Sequence, residues 1–169
     1  GGIDEYELAA LTRAGAPIDA YGVGTRLGMS ADAPVLDMAY KLVEYKGTPR
    51  LKLSTGKQTL VGPKQVWRRR GPNGRFAEDV IATRDEPPPG EGWEPLLEPV
   101  LQAGQVRHRP SLAEIRARHR EEIAALPPHL LSLEGQPTYP VHLSQRLQER
   151  QRRAIAETQQ REGTAEAPR

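Results

Sequence analysis

The chain has 169 residues, with 24 Lys and Arg against 22 Asp and Glu, and its formal net charge of +2 at pH 7 leaves no excess with which to hold a polyanion. Apolar residues make up 37% and aromatic residues 5%, lean for a large core, while sixteen glycines and sixteen prolines make about one residue in five a turn former. The absence of cysteine excludes disulfides and thiolate metal sites, and no apolar run approaches the roughly 20 residues that a membrane-spanning helix needs.

The opening stretch GGIDEYELAALTRAG carries acids where a signal peptide carries bases, so a reducing, cytoplasmic setting is the expectation. It also begins without Met, inside what reads as a loop before a helix, which is the pattern expected of a piece of a longer polypeptide. Asp4 and Glu7 have capping-box spacing, and Leu8 and Leu11 with the alanines between them line one face up to Gly15, predicting a helix over 4–14. A turn at Pro17 and a short buried strand over 18–22 follow, ending in Gly22, Gly24 and Thr25. A Gly-x-Gly-Thr turn between strand and helix presents backbone N–H groups to an oxyanion, with the helix N-terminus adding positive potential. With no anion to bind, the same residues make an ordinary tight turn.

From Tyr40 the period changes to two, so that a second, β-rich unit is expected to begin near residue 38. YKLVEYKG, PRLKLSTG, KQVWRRRGPNGRF and EDVIATRDE alternate apolar and polar residues between Gly, Pro and Asn, predicting antiparallel hairpins with one wet face, the clearest turn being GPNG at 71–74. RDEPPPGEGWEP at 84–95 is a connector, and PLLEPVLQAGQV a further extended stretch broken at Pro99. Ser111 with Glu114 is a second capping box. It opens a helix whose stripe, Leu112, Ile115, His119, Ile123 and Leu126, ends at Pro127 and Pro128. Ser144 caps a last helix with a thin stripe of Leu147, Ala154 and Ile155, and from Gln159 no period remains, which predicts a disordered tail.

Three further groups have competing readings. Arg68, Arg69 and Arg70 beside Trp67 form either a nucleic-acid surface or, since alternation splits them between two faces near Glu78 and Asp79, a solvated hairpin. His108, His119, His129 and His142 read as surface or packing histidines, and the acid pairs Asp4–Glu5 and Glu121–Glu122 as helix-dipole partners. Asp32 in SADAP either orders the preceding glycine loop or a metal-bound water, or caps a helix.

GGIDEY, GAPIDAYGVGTRL, SADAP, YKLVEY, and KLSTGK followed by GPKQVWR stand in an order and spacing that resemble the carboxyl-terminal part of nicotinate phosphoribosyltransferase, from residue 1 to about residue 145. The resemblance implies a type II phosphoribosyltransferase. Its fold would be the end of an irregular parallel α/β barrel over 1–37, an antiparallel β-rich unit over 38–106, a helical segment over 107–158 and a tail over 159–169. It implies that nicotinate and phosphoribosyl pyrophosphate give nicotinate mononucleotide in NAD biosynthesis, with ATP coupling, Mg²⁺ and a homodimer, and with neither membrane nor nucleic acid as partner. Carried over by motif, Gly1, Gly2, Gly22, Gly24 and Thr25 would hold the 5′-phosphate, and Lys52, Ser54 and Lys57 would lie near substrate or ATP phosphates. The lysines fit equally the wet face of a hairpin. No counterpart of the family's phosphorylated histidine or of its nicotinate-gripping segments is found in this sequence, so the piece alone is expected to be inactive. Nicotinamide and quinolinate enzymes are the nearest relatives by chemistry, and the pairing of GVGT with KLSTGK favours nicotinate. The reading from another class is a non-enzymatic β-rich interaction or nucleic-acid module using the Arg68–Arg70 surface.

Overall fold

The computed structural model describes residues 2–29, 40–53, 58–135 and 137–165, with side chains described as far as residue 161. It divides into two units, Gly1–Tyr40 with Ser132–Gln136, and Lys41–Leu131 with Pro137–Arg169.

In the first unit, α1 (Glu5–Arg13) starts where expected because Asp4 stays extended and its carboxylate accepts the Glu7 N–H at 3.0 Å. None of its residues is buried. Residues 18–22, expected as a strand, are irregular backbone, and the next element is the single turn α2 (Thr25–Gly28). An apolar run becomes a strand only with a neighbour to complete its ladder, and no described segment of this unit pairs with it.

The second unit is built on β3 (Lys64–Arg70) and β4 (Phe76–Thr83), an antiparallel hairpin closed by GPNG, where Gly71 N–H bonds Arg75 O at 2.8 Å and Asn73 Oδ1 accepts Arg75 N–H at 3.1 Å. Beside β3 runs β5 (Trp93–Pro95), antiparallel; beside β4 runs β8 (Val141–Leu143), parallel, giving the order β5-β3-β4-β8. Two small hairpins flank the sheet, β1 (Glu44–Tyr45) with β2 (Thr48–Pro49), and β6 (Leu101–Gln102) with β7 (Gln105–Val106). Lys46–Gly47 and Ala103–Gly104 turn them with positive φ at both central residues, the type I′ geometry that matches strand twist.

Helix α3 (Leu112–Ala125) carries the full capping box: Glu114 N–H bonds Ser111 Oγ at 3.3 Å, and Ser111 N–H bonds Glu114 Oε2 at 2.6 Å. That backbone hydrogen bond holds the Glu114 carboxyl below its usual value. Its expected stripe is open to solvent at Leu112, Ile115 and Ile123, and Ala125 is the residue it buries. After a 3₁₀ turn at Pro128–Leu131, the chain enters β8 and then α4 (Gln145–Ala165).

The core lies where α4 meets β4: Leu147 and Ala154, seven residues apart on one face, are buried along with Val61, Phe76 and Ala82. Ser144 accepts the Leu147 N–H at 3.1 Å and donates to Glu86 Oε1 at 2.8 Å, and Glu86 also accepts Thr83 N–H at 2.6 Å. One carboxylate thus joins the end of β4 to the start of α4. Two expectations are corrected here. The segment 107–158 contains a strand, β8, that completes the sheet, and the tail expected from Gln159 remains helical to Ala165 because a polar helix continues from a packed one without an apolar stripe of its own.

Candidate functional site

The glycine loops lie in the first unit. Gly24 is the N-cap of α2 and its carbonyl accepts Leu27 N–H at 3.1 Å and Gly28 N–H at 2.9 Å. A Cβ placed on Gly22 or on Gly24 would meet no atom of the described residues within 4 Å. α2 is a single turn, too short for the dipole contribution expected from the sequence, and any anion binding rests on backbone N–H groups.

Sequence reasoning missed Arg26, the residue directly after GVGT. Its Nη1 donates to Gly2 O at 2.7 Å, and its guanidinium pairs with Asp4 at 3.1 Å and Glu7 at 3.7 Å. Arg26 therefore ties the GG loop to the GVGT loop, and two carboxylates already balance its charge. A lone arginine inside a glycine motif gives no sign in sequence of which carbonyl it will reach. Gly1 and Asp32 lie outside the described residues.

The basic segment belongs to the second unit. Lys52 is exposed between half-buried Leu51 and Leu53, in backbone outside any strand, and forms no ion pair with a described residue; Ser54 and Lys57 lie outside the described residues. The limbs leading to and from this segment converge: Arg50 N–H and Gly62 N–H both bond Val43 O, at 3.0 and 2.9 Å. Lys64 Nζ donates to Leu60 O at 2.7 Å and Gly62 O at 2.6 Å, and burial, then the neighbouring Arg150 charge, hold its ammonium below the usual lysine value.

The arginine cluster is engaged within the sheet. Arg68 makes a two-pronged bond to Asp79, Nε to Oδ1 and Nη2 to Oδ2 both at 2.8 Å, while Tyr139 O–H donates to Asp79 Oδ1 at 2.9 Å. The hydrogen bond to Asp79 raises the Arg68 pKa, and the Tyr139 hydroxyl is pushed up to about 12, by burial first and then by its bond to Asp79. Arg69, on the opposite face, pairs with Glu78 and stacks over Trp93, and Arg70 lies over Phe76 and donates to Gly74 O at 3.1 Å. Guanidiniums held this way are poorly disposed to meet a nucleic-acid backbone, so the alternative module is not favoured.

Of the histidines, His108 lies 3.3 Å from Glu98, His142 3.5 Å from Glu78 and His129 3.4 Å from Thr138 O. Among the described residues, no three acidic or histidine side chains converge to hold a metal, and no helix is long and apolar enough to cross a membrane.

Residues 91–151 match the Nicotinate phosphoribosyltransferase C-terminal domain. The chain is 46% identical to a nicotinate phosphoribosyltransferase of Mycobacterium tuberculosis and 37% identical to that of Bos taurus, each match covering 86% of this chain and 31% of the relative. The crystal structure of human nicotinic acid phosphoribosyltransferase superposes with a TM-score of 0.57 at 35% identity, over 66% of this chain and 25% of that one. The chain is a relative of the nicotinate phosphoribosyltransferases, carrying their C-terminal domain, and it spans 31% of the length of the curated relatives it matches.

Proposed function

We propose that this chain contributes part of the substrate-phosphate site of a nicotinate phosphoribosyltransferase. The whole protein moves the phosphoribosyl group from phosphoribosyl pyrophosphate to the pyridine nitrogen of nicotinate and releases pyrophosphate, a cytoplasmic step of NAD biosynthesis. The observation that carries the reading is the similarity to these enzymes across 86% of the chain. Gly1, Gly2, Gly22, Gly24 and Thr25 offer backbone N–H groups to the 5′-phosphate, with Arg26 fixing Gly2 against the second loop. Lys52, Ser54 and Lys57 balance charge on the substrate phosphates, where fixed cations stabilise developing pyrophosphate.

ATP coupling, an irregular α/β barrel completed by the rest of the polypeptide, and a homodimer belong to the same proposal. Mg²⁺ is the expected companion of pyrophosphate chemistry, yet the described residues offer it no converging ligand set, so this chain's part rests on its loops and lysines. The test is the Lys52→Met, Lys57→Met double variant of the full-length protein. A KM for phosphoribosyl pyrophosphate raised about tenfold or more, most clearly at low ionic strength, is the expected result. A KM unchanged from wild type returns both lysines to the solvated face.

A further inference from the structure

In the second unit a cleft of about 600 Å³ lies between Lys64 and Gln65 of β3, Arg84 just past β4, and the chain at 97–102. Gln65 sets the course of that chain. Its side-chain amide accepts Leu97 N–H at 2.9 Å and donates to Leu97 O at 3.0 Å, while Leu96 N–H bonds Val66 O at 2.8 Å. Further along, Arg107 N–H bonds Val100 O at 2.9 Å, so this wall is fastened at both ends.

The wall is apolar and uncovered. Leu97, Val100 and Leu101 are 52%, 59% and 64% exposed, with Pro99 between them. One exposed leucine is ordinary, but three large aliphatic side chains lining one cleft form a surface suited to a hydrocarbon. Most polar groups around it are already spent: the Lys64 ammonium donates to Leu60 O and Gly62 O, Gln65 holds Leu97, and Glu98 lies 3.3 Å from His108. Arg84 and Gln102 differ, since among the described residues neither side chain has a hydrogen-bond or ion-pair partner. Asp85, the acid next to Arg84 in the chain, is taken by Arg146.

A guanidinium presents parallel N–H groups that match the two oxygens of a carboxylate, and a free amide adds one more donor. The lining carries Lys64 and Arg84 against Glu98, a positive balance that favours an anion. One uncommitted guanidinium suits a single negative charge better than a phosphate dianion. We propose that this cleft binds a small carboxylic acid with an aliphatic body, its carboxylate on Arg84 and Gln102 and its hydrocarbon on Leu97, Val100 and Leu101. The proposal does not depend on the phosphate reading given above.

The experiment titrates the full-length protein with octanoate and with octanol, which has the same chain length and no charge. Octanoate is expected to bind with a Kd of about 1 mM, as befits a ligand of this size in an open cleft, and to show Overhauser contacts to the methyl groups of Leu97, Val100 and Leu101. Octanol is expected to bind about tenfold more weakly, and Arg84→Gln to raise the octanoate Kd about tenfold, because a charge-assisted pair is missing in each case. The KM for nicotinate is expected to stay unchanged in Arg84→Gln, which separates this binding from any at a nicotinate site. Val100→Asp, which sets a like charge on the wall, is expected to abolish octanoate binding. Equal Kd values for octanoate and octanol, or an Arg84→Gln or Val100→Asp variant that binds octanoate like wild type, overturns the site. The octanol comparison needs no variant, so it decides even where a substituted protein does not accumulate folded. Contacts of the same methyl groups with parts of the full-length protein outside this sequence also overturn the site, because the cleft is then already filled.

Discussion

In the first unit α1 buries none of its nine residues, whereas in the second α4 places Leu147 and Ala154 in the core beside a four-stranded sheet. Both helices begin with well-made caps. The cap chooses where a helix starts, but a helix shorter than about 12 residues is marginal without an apolar face to bury. Tyr6, Ile18 and Val23 in the first unit stay exposed, and Arg26 with its two acids is the tie that joins its loops. The second unit is held by burial and by a desolvated charge cluster, and stability follows from that difference.

The largest effect is expected from Asp79→Ala, which leaves Arg68 and Tyr139 facing a void at the centre of the sheet. Breaking such a buried pair costs about 3 kcal/mol. Urea unfolding followed by Trp67 and Trp93, both on the sheet, reads that loss in the second unit alone. Asp4→Ala removes the α1 cap and is expected to cost about 1 kcal/mol. It should raise amide exchange across Glu5–Arg13 and leave the tryptophan signal unmoved. If Asp79→Ala loosened α1 as much as the sheet, the two units would not be independent.

A smaller effect lies at alkaline pH. Tyr139 is raised from 10.0 to about 12 in the folded chain, so its neutral form is favoured there. Its contribution to stability is complete below the unfolded value near 10.0 and is lost as pH climbs through about 12. Tyr139→Phe is expected to flatten the fall in stability over that window, measured by urea midpoints at successive pH values. An identical slope in both proteins would sever Tyr139 from Asp79.

Features written in a few adjacent residues were legible in the sequence. GPNG, the Asp4 cap, the Ser111–Glu114 box, the Ser144 cap and the split of Arg68 and Arg69 between two faces all depend on neighbours within about four residues. What depends on distant partners was not. Val141–Leu143 is three residues long, and its parallel place beside β4 is set some 60 positions away through contacts such as Asp79 N–H to Pro140 O at 3.0 Å. The run at 18–22 has strand composition and no ladder. Lys46–Gly47 and Ala103–Gly104 make hairpin turns without the Asn or Asp that usually announces them. At the candidate site, the glycines and Lys52 were visible as motif residues, but Arg26, which holds Gly2 from 24 positions away, carries no local signal.

Whether the GVGT loop receives a substrate phosphate on its backbone is decided by Gly24→Val in the full-length protein. Among the described residues no atom lies within 4 Å of a Cβ at Gly24, so a side chain there is expected to obstruct the ligand rather than the fold. The predicted result is a KM for phosphoribosyl pyrophosphate raised about tenfold or more with an unchanged unfolding midpoint. A folded Gly24→Val enzyme with wild-type KM for phosphoribosyl pyrophosphate would contradict the claim.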